Sequence, residues 1–266
     1  MRKVYLLLAV ALLVVPASLS AREVARLTRY TGSQITGVSA KHMFNVELVK
    51  SDQTKAIVEI DTELEQYLKF NLNSDGTVEV GLDIPDAQRR RFERDNRNFW
   101  RDRTIRLVVY LPELQYMNLS DMTNLTTADA FTGGDVVIRI NDMSKLKELN
   151  LTATSLDIKC DDMSSAKVIC TVTTLNAIAN DMSKIALEGS AREAKVHSND
   201  MSGISGDDFI TEKGEIHAHD MAKASLHVTQ SLLLRSSDMG TASYKGDPAS
   251  VDIRTPRRTE YRQASN

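Results

Sequence analysis

This chain of 266 residues is poor in several of the features that usually mark a function. It has two cysteines, Cys160 and Cys170, and their ten-residue separation matches no metal-binding pattern of paired cysteines. Aromatic side chains make up 5% of it, and only Phe131, Phe209 and Tyr244 lie between Asp121 and Gly246, so that stretch has little with which to stack sugars. No glycine-rich loop of the phosphate-cradling kind occurs, nor any nucleic-acid-binding module. Helix start and stop signals are missing from the C-terminal half. Beyond residue 15 no apolar run approaches the roughly 20 residues of a membrane-spanning helix.

The N-terminus reads as a secretion signal over residues 1–21. Arg2 and Lys3 precede the apolar run Val4–Val15, and Pro16–Ala21 forms a small-residue exit. No cysteine lies near that exit, so the reading is a soluble exported chain rather than a lipid-anchored one. The destination is the periplasm, the outer surface or the medium. Without Arg2 and Lys3 the chain carries 31 basic against 36 acidic side chains, a net charge of −5 that gives no general attraction to nucleic acid.

What the chain does have is a repeat. Asp-Met recurs at Asp121, Asp142, Asp162, Asp181, Asp200, Asp220 and Asp238, at intervals of 21, 20, 19, 19, 20 and 18 residues. Seven of the ten methionines sit in these pairs. A fixed period near 20 is the mark of a solenoid whose units bury their apolar faces only against one another. Within a unit, apolar residues alternate with polar ones, as in Leu156-Ile158-Cys160 and Leu175-Ala177-Ala179, which is the period of a strand with one buried face.

The expectation is an all-β, single-stranded, right-handed parallel β-helix with coils of about 20 residues, each made of two or three short strands. Residues 116–254 form the regular coils, and residues 22–115 the irregular first strands and an N-terminal cap. Residues 255–266 form a disordered tail. Cys160 and Cys170 fall at interior positions and are read as buried, reduced side chains. At each corner the Asp carboxylate is expected to accept backbone N–H groups, giving a structural ladder of Asp121, Asp142, Asp162, Asp181, Asp200, Asp220 and Asp238. A cation-binding ladder is the other reading. Asn141, Asn180 and Asn199 would dilute its charge, and the methionines would fill the corner as an apolar ladder.

Two further groups stand out. Residues 87–103 hold seven arginines and the only tryptophan, a charged insertion too polar for a core. Arg97, Trp100 and Arg101 are its candidate contact with a protein or glycan partner, since Arg and Trp are favoured interface anchors. His197 and His217 share one register position in adjacent coils, with His219 two residues on. They are read as a solvated strand face, with weak Zn²⁺ or Cu²⁺ binding as the alternative.

From about Gln115 to Gly246 the chain resembles the head (GIN) domain of the auto-transporter adhesin family of Bacteroidetes-type exported proteins. The Asp-Met-Ser corners at Asp142–Ser144, Asp162–Ser164, Asp181–Ser183 and Asp200–Ser202 stand where that family has a Gly-Ala-Ser type of corner. Asn45–Leu48, Ile105–Pro112 and Leu114–Leu119 match its lead-in to the first coil. The resemblance implies a β-helix and no catalytic residues.

The functional expectation is an exported, non-enzymatic β-helix with an adhesin-like or scaffolding role at the cell envelope, without cofactor or bound metal. The alternative is a polysaccharide lyase or hydrolase on the same scaffold. That chemistry needs two carboxylates in different environments, whereas the repeated Asp occupies one equivalent slot in every coil. Coil lengths vary too little to wall a cleft, and the histidines have no evident paired serine beyond the abundant corner ones, as a nucleophilic triad would require.

Overall fold

The computed structural model describes residues 23–95, 99–100, 103–255 and 260–263. The proposed secretion signal therefore lies outside the described residues. Strands account for 64% of the structure and helices for 6%, arranged as a β-solenoid of about 7 turns. The all-β class and the coil period of about 20 residues are as expected.

The chain runs through β1 (Val24–Arg29), β2 (Gly37–Ala40) and β3 (Asn45–Lys50). An excursion follows through β4 (Lys55–Asp61), α1 (Thr62–Glu65), β5 (Leu68–Leu72), β6 (Thr77–Leu82), α2 (Asp86–Asp95) and β7 (Ile105–Leu111), before β8 (Tyr116–Leu119) and β9 (Asn124–Thr127). In space, β2 lies parallel between β6 and β8, and β3 lies parallel between β7 and β9. Three successive layers of the stack are thus laid down out of sequence order. Antiparallel strands then close the end: β4 on β7, β1 on β4, and β5 on β6. This ends a parallel ladder that would otherwise present a pairing edge.

From here one long strand fills each coil: β10 (Ala130–Ile140), β11 (Lys145–Cys160), β12 (Ser165–Ala179), β13 (Lys184–Ser198), β14 (Gly203–Ala218) and β15 (Lys223–Ser236). The two or three short strands expected per coil are merged. In β11 the buried residues fall in three runs, Leu146, then Leu149 and Leu151, then Leu156, Ile158 and Cys160, separated by outward residues at 147–148 and 152–155. The chain bends round the lumen at these slips of phase, and the register to the next coil shifts between Leu146 and Leu149. Pairing is interrupted at the Asp-Met corners and at such shifts, as between Ile204 and Ile210.

The stack ends in β16 (Thr241–Lys245), β17 (Ser250–Arg254) and β18 (Glu260–Gln263). Glu260–Gln263 lies in the tail expected to be disordered, yet it pairs in parallel with β16. The open edge of the last coil offers unpaired backbone groups, and this stretch satisfies them.

One hydrophobic cluster runs the length of the molecule, with Met117, Ile138, Ile158, Ala177, Val196, Ile216 and Leu234 all fully buried. The charged insertion enters it. Phe92 and Phe99 are buried and stack at 4.4 Å, which corrects the reading of this segment as too polar for the core. Arg103 lies 4.0 Å from the Phe99 ring centroid, with Nη1 3.0 Å from Asp61 and Nη2 2.8 Å from Glu63. The aromatics cover the end of the lumen, and the paired guanidinium covers the aromatics.

Cys160 and Cys170 are buried and free, and burial pushes both thiols up to about 12. The thiolate is the reactive species, so both are inert in the folded state. The expected outcome at pH 8 is no maleimide addition by mass spectrometry to the native protein and two additions in denaturant. Rapid native labelling of either residue would show that the lumen opens.

Candidate functional site

The corner governs the surface, and its geometry differs from the expected one. Both residues of every Asp-Met pair have positive φ, 49° to 55° for the aspartates and 58° to 63° for the methionines. From Asn141–Ser144 to Ser237–Gly240, the residue after Met donates its N–H to the carbonyl of the residue before Asp, as in Ser144 N to Asn141 O at 3.1 Å and Gly240 N to Ser237 O at 2.8 Å. A four-residue turn with two left-handed central residues is the primed, hairpin-type turn, which asks for Asn, Asp or Gly. The corners interlock along the stack: each Met N–H donates to the Asp carbonyl of the next coil, at 2.8 to 3.1 Å from Met43 to Met221.

The ladder carboxylates accept no backbone hydrogen bond among the described residues, so that expectation is corrected. Aspartate is there because its short polar side chain tolerates the left-handed region. The asparagines do not dilute the ladder either; their amides run along their own row, Asn180 to Asp161 at 2.7 Å and Asn199 to Asn180 at 2.8 Å. Nor do the methionines fill the corner: Met122, Met143, Met163, Met182, Met201, Met221 and Met239 are all exposed, by 44% to 72%. A left-handed residue at the tip of the turn projects its side chain into solvent. The space behind the corner belongs to the buried Thr123, Ser144, Ser164, Ser183, Ser202 and Ala222.

Reading by Asp-Met pairs misses one corner. His42 and Met43 have φ of 66° and 62°, and Met43 N–H donates to Asp121 O, so this pair is the first rung. His42 Nδ1 accepts the Leu82 N–H at 3.1 Å, which leaves Nε2 to face the Asp121 carboxylate at 3.7 Å. Burial holds the His42 pKa below its ordinary value despite Asp121. Trp100 lines a hollow of about 200 Å³ beside this rung, with His42, Met43 and Met122. Its indole donates to Glu93 at 3.3 Å. The other two residues of the candidate partner contact, Arg97 and Arg101, lie outside the described residues.

Before each corner, the outward rows of the strand carry charge. One row reads Arg139, Lys159, Ile178, His197, His217, Arg235, Arg254, and its neighbour Asp157, Asn176, Lys195, Glu215, Leu233, Asp252. His197 and His217 stack at 4.2 Å with 17° between their planes, as their shared register implies. His219 meets His217 edge-on at 6.2 Å. The expectation of a solvated face of three imidazoles is corrected at His217. His217 is 8% exposed, and Glu215 Oε1 lies 2.9 Å from its Nε2. Burial, and for His217 also the neighbouring His197, hold both imidazoles below their ordinary pKa.

After each corner lies a surface that the sequence reading did not single out. The third residue beyond Asp reads Lys145, Ser165, Lys184, Gly203, Lys223, Thr241, alternating a lysine with a small residue. Two residues on, Ala186, Ser205, Ser225 and Ser243 keep the floor low. The result is an open trough of about 680 Å³ along six coils, with exposed Lys145, Lys147, Lys184 and Lys223 on its margins. None of these four has an ion-pair partner among the described residues, whereas Lys167 is held by Glu148 and Glu188 at 3.0 and 3.2 Å. Lysines at one slot of alternate coils repeat at about 9.6 Å.

The family model for "Putative auto-transporter adhesin, head GIN domain" matches residues 34–248. The chain belongs to this family. Among solved structures it is similar to a putative adhesin from Parabacteroides merdae (16% identity, TM-score 0.77, covering 91% of this chain and 97% of that one). It is also similar to a putative adhesin from Parabacteroides distasonis (14%, 0.73, 91% and 98%). A third, from the same species, is described as a putative lipid binding protein (16%, 0.71, 90% and 97%). These likenesses establish the shared fold. No curated protein matches the chain. No helix among the described residues is long and apolar enough to cross a membrane.

The corner geometry sets the outcome of substitution. Asp181→Asn keeps a side chain that tolerates the left-handed region and should stay within about 0.5 kcal/mol of the parent. Asp181→Val should cost on the order of 1–2 kcal/mol. The Asp142 carboxyl is raised above 3.8 by burial, then by Asp121 and Asp162. Its stabilising proton is fully bound below pH 3.8 and lost as pH rises through the folded-state value. Asp142→Asn should therefore raise the denaturation midpoint at pH 7, by a margin that shrinks as pH falls towards 3.8. Equal effects of Asn and Val at Asp181 would remove the turn account.

Proposed function

We propose that the protein is an exported, non-enzymatic, adhesin-like module of the cell envelope, and that the lysine trough is its ligand-bearing surface. Family membership supports the adhesin-like role. The observation that carries the surface is the straight row of unpaired lysines in alternate coils, beside a floor of alanine, serine and glycine. Such a row fits an extended anionic polymer whose charge also recurs at a regular interval, and an acidic glycan with one carboxylate per disaccharide has that character. The trough is open and has one repeated chemistry, which suits holding a chain along its length rather than distorting one sugar of it.

A second reading rests on the exposed methionines, which stand in every coil two residues ahead of the slot that holds a lysine in alternate coils. Together they make an amphiphilic strip, so an anionic lipid is the competing ligand class.

Each exposed lysine–carboxylate pair contributes about 0.2–1 kcal/mol. Replacing Lys145, Lys184 and Lys223 together by Gln should therefore weaken binding of hyaluronate, which has one carboxylate per disaccharide, by roughly tenfold. The interaction should weaken with added salt, and a neutral glucan should not bind. Surface plasmon resonance on the immobilised polymer gives the measurement. Unchanged binding by the triple variant would remove the trough as the site, and binding to anionic vesicles in place of the polymer would favour the lipid.

A further inference from the structure

Two imidazoles and a carboxylate converge on the other side of the corner, away from the lysine trough. The ligand atoms of His197, Glu215 and His217 all lie within 4.8 Å of one another. His197 and His217 are register partners across β13 and β14, and Glu215 points outward two residues before His217. We propose that these three side chains bind a divalent transition-metal ion of the Zn²⁺ class.

The donor set carries the proposal. Two imidazoles with one carboxylate suit Zn²⁺ and its first-row neighbours, whereas Mg²⁺ and Ca²⁺ require oxygen donors. Metal–ligand bonds of about 2.0–2.2 Å place neighbouring donor atoms roughly 3.3 Å apart around a tetrahedral ion. Glu215 and His217, 2.9 Å apart, already meet that spacing, and the widest separation within the 4.8 Å group closes by on the order of 1 Å. His217 is buried and fixed, while His197 and Glu215 are half-buried at the surface and close on it by side-chain rotation. The strands beneath are paired on both sides, so the platform does not shift.

The neighbours set the affinity. Lys195 Nζ lies 3.2 Å from the second Glu215 oxygen and competes with the ion for it. Arg235, the register partner of His217 in the next coil, bounds the site on the far side. His219 stands outside the ligand set, its Nδ1 engaged with the Ser237 hydroxyl. Three protein donors leave an outward coordination position, and the two cations keep the binding moderate rather than tight.

Calorimetric titration of the untagged protein with ZnCl₂ at pH 7.5 tests this. One ion per chain is expected, with a Kd in the micromolar range, and no heat with MgCl₂. His197→Ala and Glu215→Gln, both at half-buried surface positions, should each weaken binding by about tenfold or more. Lys195→Met should strengthen it several-fold by freeing Glu215. Thermal melts alongside confirm that the variants are folded, which matters most for the buried His217→Ala. Absence of binding at millimolar Zn²⁺, or a His197→Ala affinity equal to the parent, overturns the site. A Lys195→Met variant that binds no better takes Glu215 out of the ligand set and overturns the assignment as stated.

Discussion

Everything on this surface depends on one backbone constraint, the two left-handed residues at each corner. A single N–H to carbonyl bond links each corner to the next, so the turns stack in register. Every outward position on either side of them is thereby lined up with its equivalents. A non-glycine residue in the left-handed region costs on the order of 1–2 kcal/mol, less for Asp and Asn. Seven Asp-Met pairs carry that cost twice each. It is offset by the buried apolar faces of adjacent coils, none of which is buried alone.

Much of the solenoid was legible because the repeat and the period-two alternation are local. Asp-Met at intervals of 18 to 21 residues located the corners, and counting back three residues put His197 beside His217. The role of the aspartate was not legible. An Asx-type hydrogen bond and a tolerance for positive φ both select Asp at a turn, and only the backbone angles separate them. The His42–Met43 corner escaped because it lacks the aspartate and is divided from the next corner by the excursion from β4 to β7. Phe92 and Phe99 escaped because seven arginines outweigh three aromatics in any average over that segment. The trough was hidden for a simpler reason: Lys145, Lys184 and Lys223 are ordinary solvated lysines one at a time, and only the register lines them up.

A solenoid turns each sequence position into a line of like side chains about 4.8 Å apart. That favours repeated contact over catalysis, because equivalent groups in equivalent surroundings cannot divide the roles of acid and base. It also limits charge. Two like unit charges 4.8 Å apart repel by about 0.9 kcal/mol even at the dielectric of water, and the figure halves and is screened further at about 9.6 Å. The lysine row obeys this limit by alternating with serine, glycine and threonine. The row before the corner relaxes it only in the middle, where Ile178 and the neutral His197 and His217 separate Lys159 from Arg235, while Arg139 with Lys159 and Arg235 with Arg254 are like-charge register partners at its two ends. The Asp ladder ignores the limit in every coil, and the Asp142 carboxyl, raised first by desolvation and then by Asp121 and Asp162, registers part of the cost. It can do so because these carboxylates face solvent, and because the left-handed turn leaves only Asp, Asn and Gly as good choices. Where the backbone dictates the residue, like charges stack in every coil; elsewhere, as at Arg139 with Lys159 and Arg235 with Arg254, they meet two at a time.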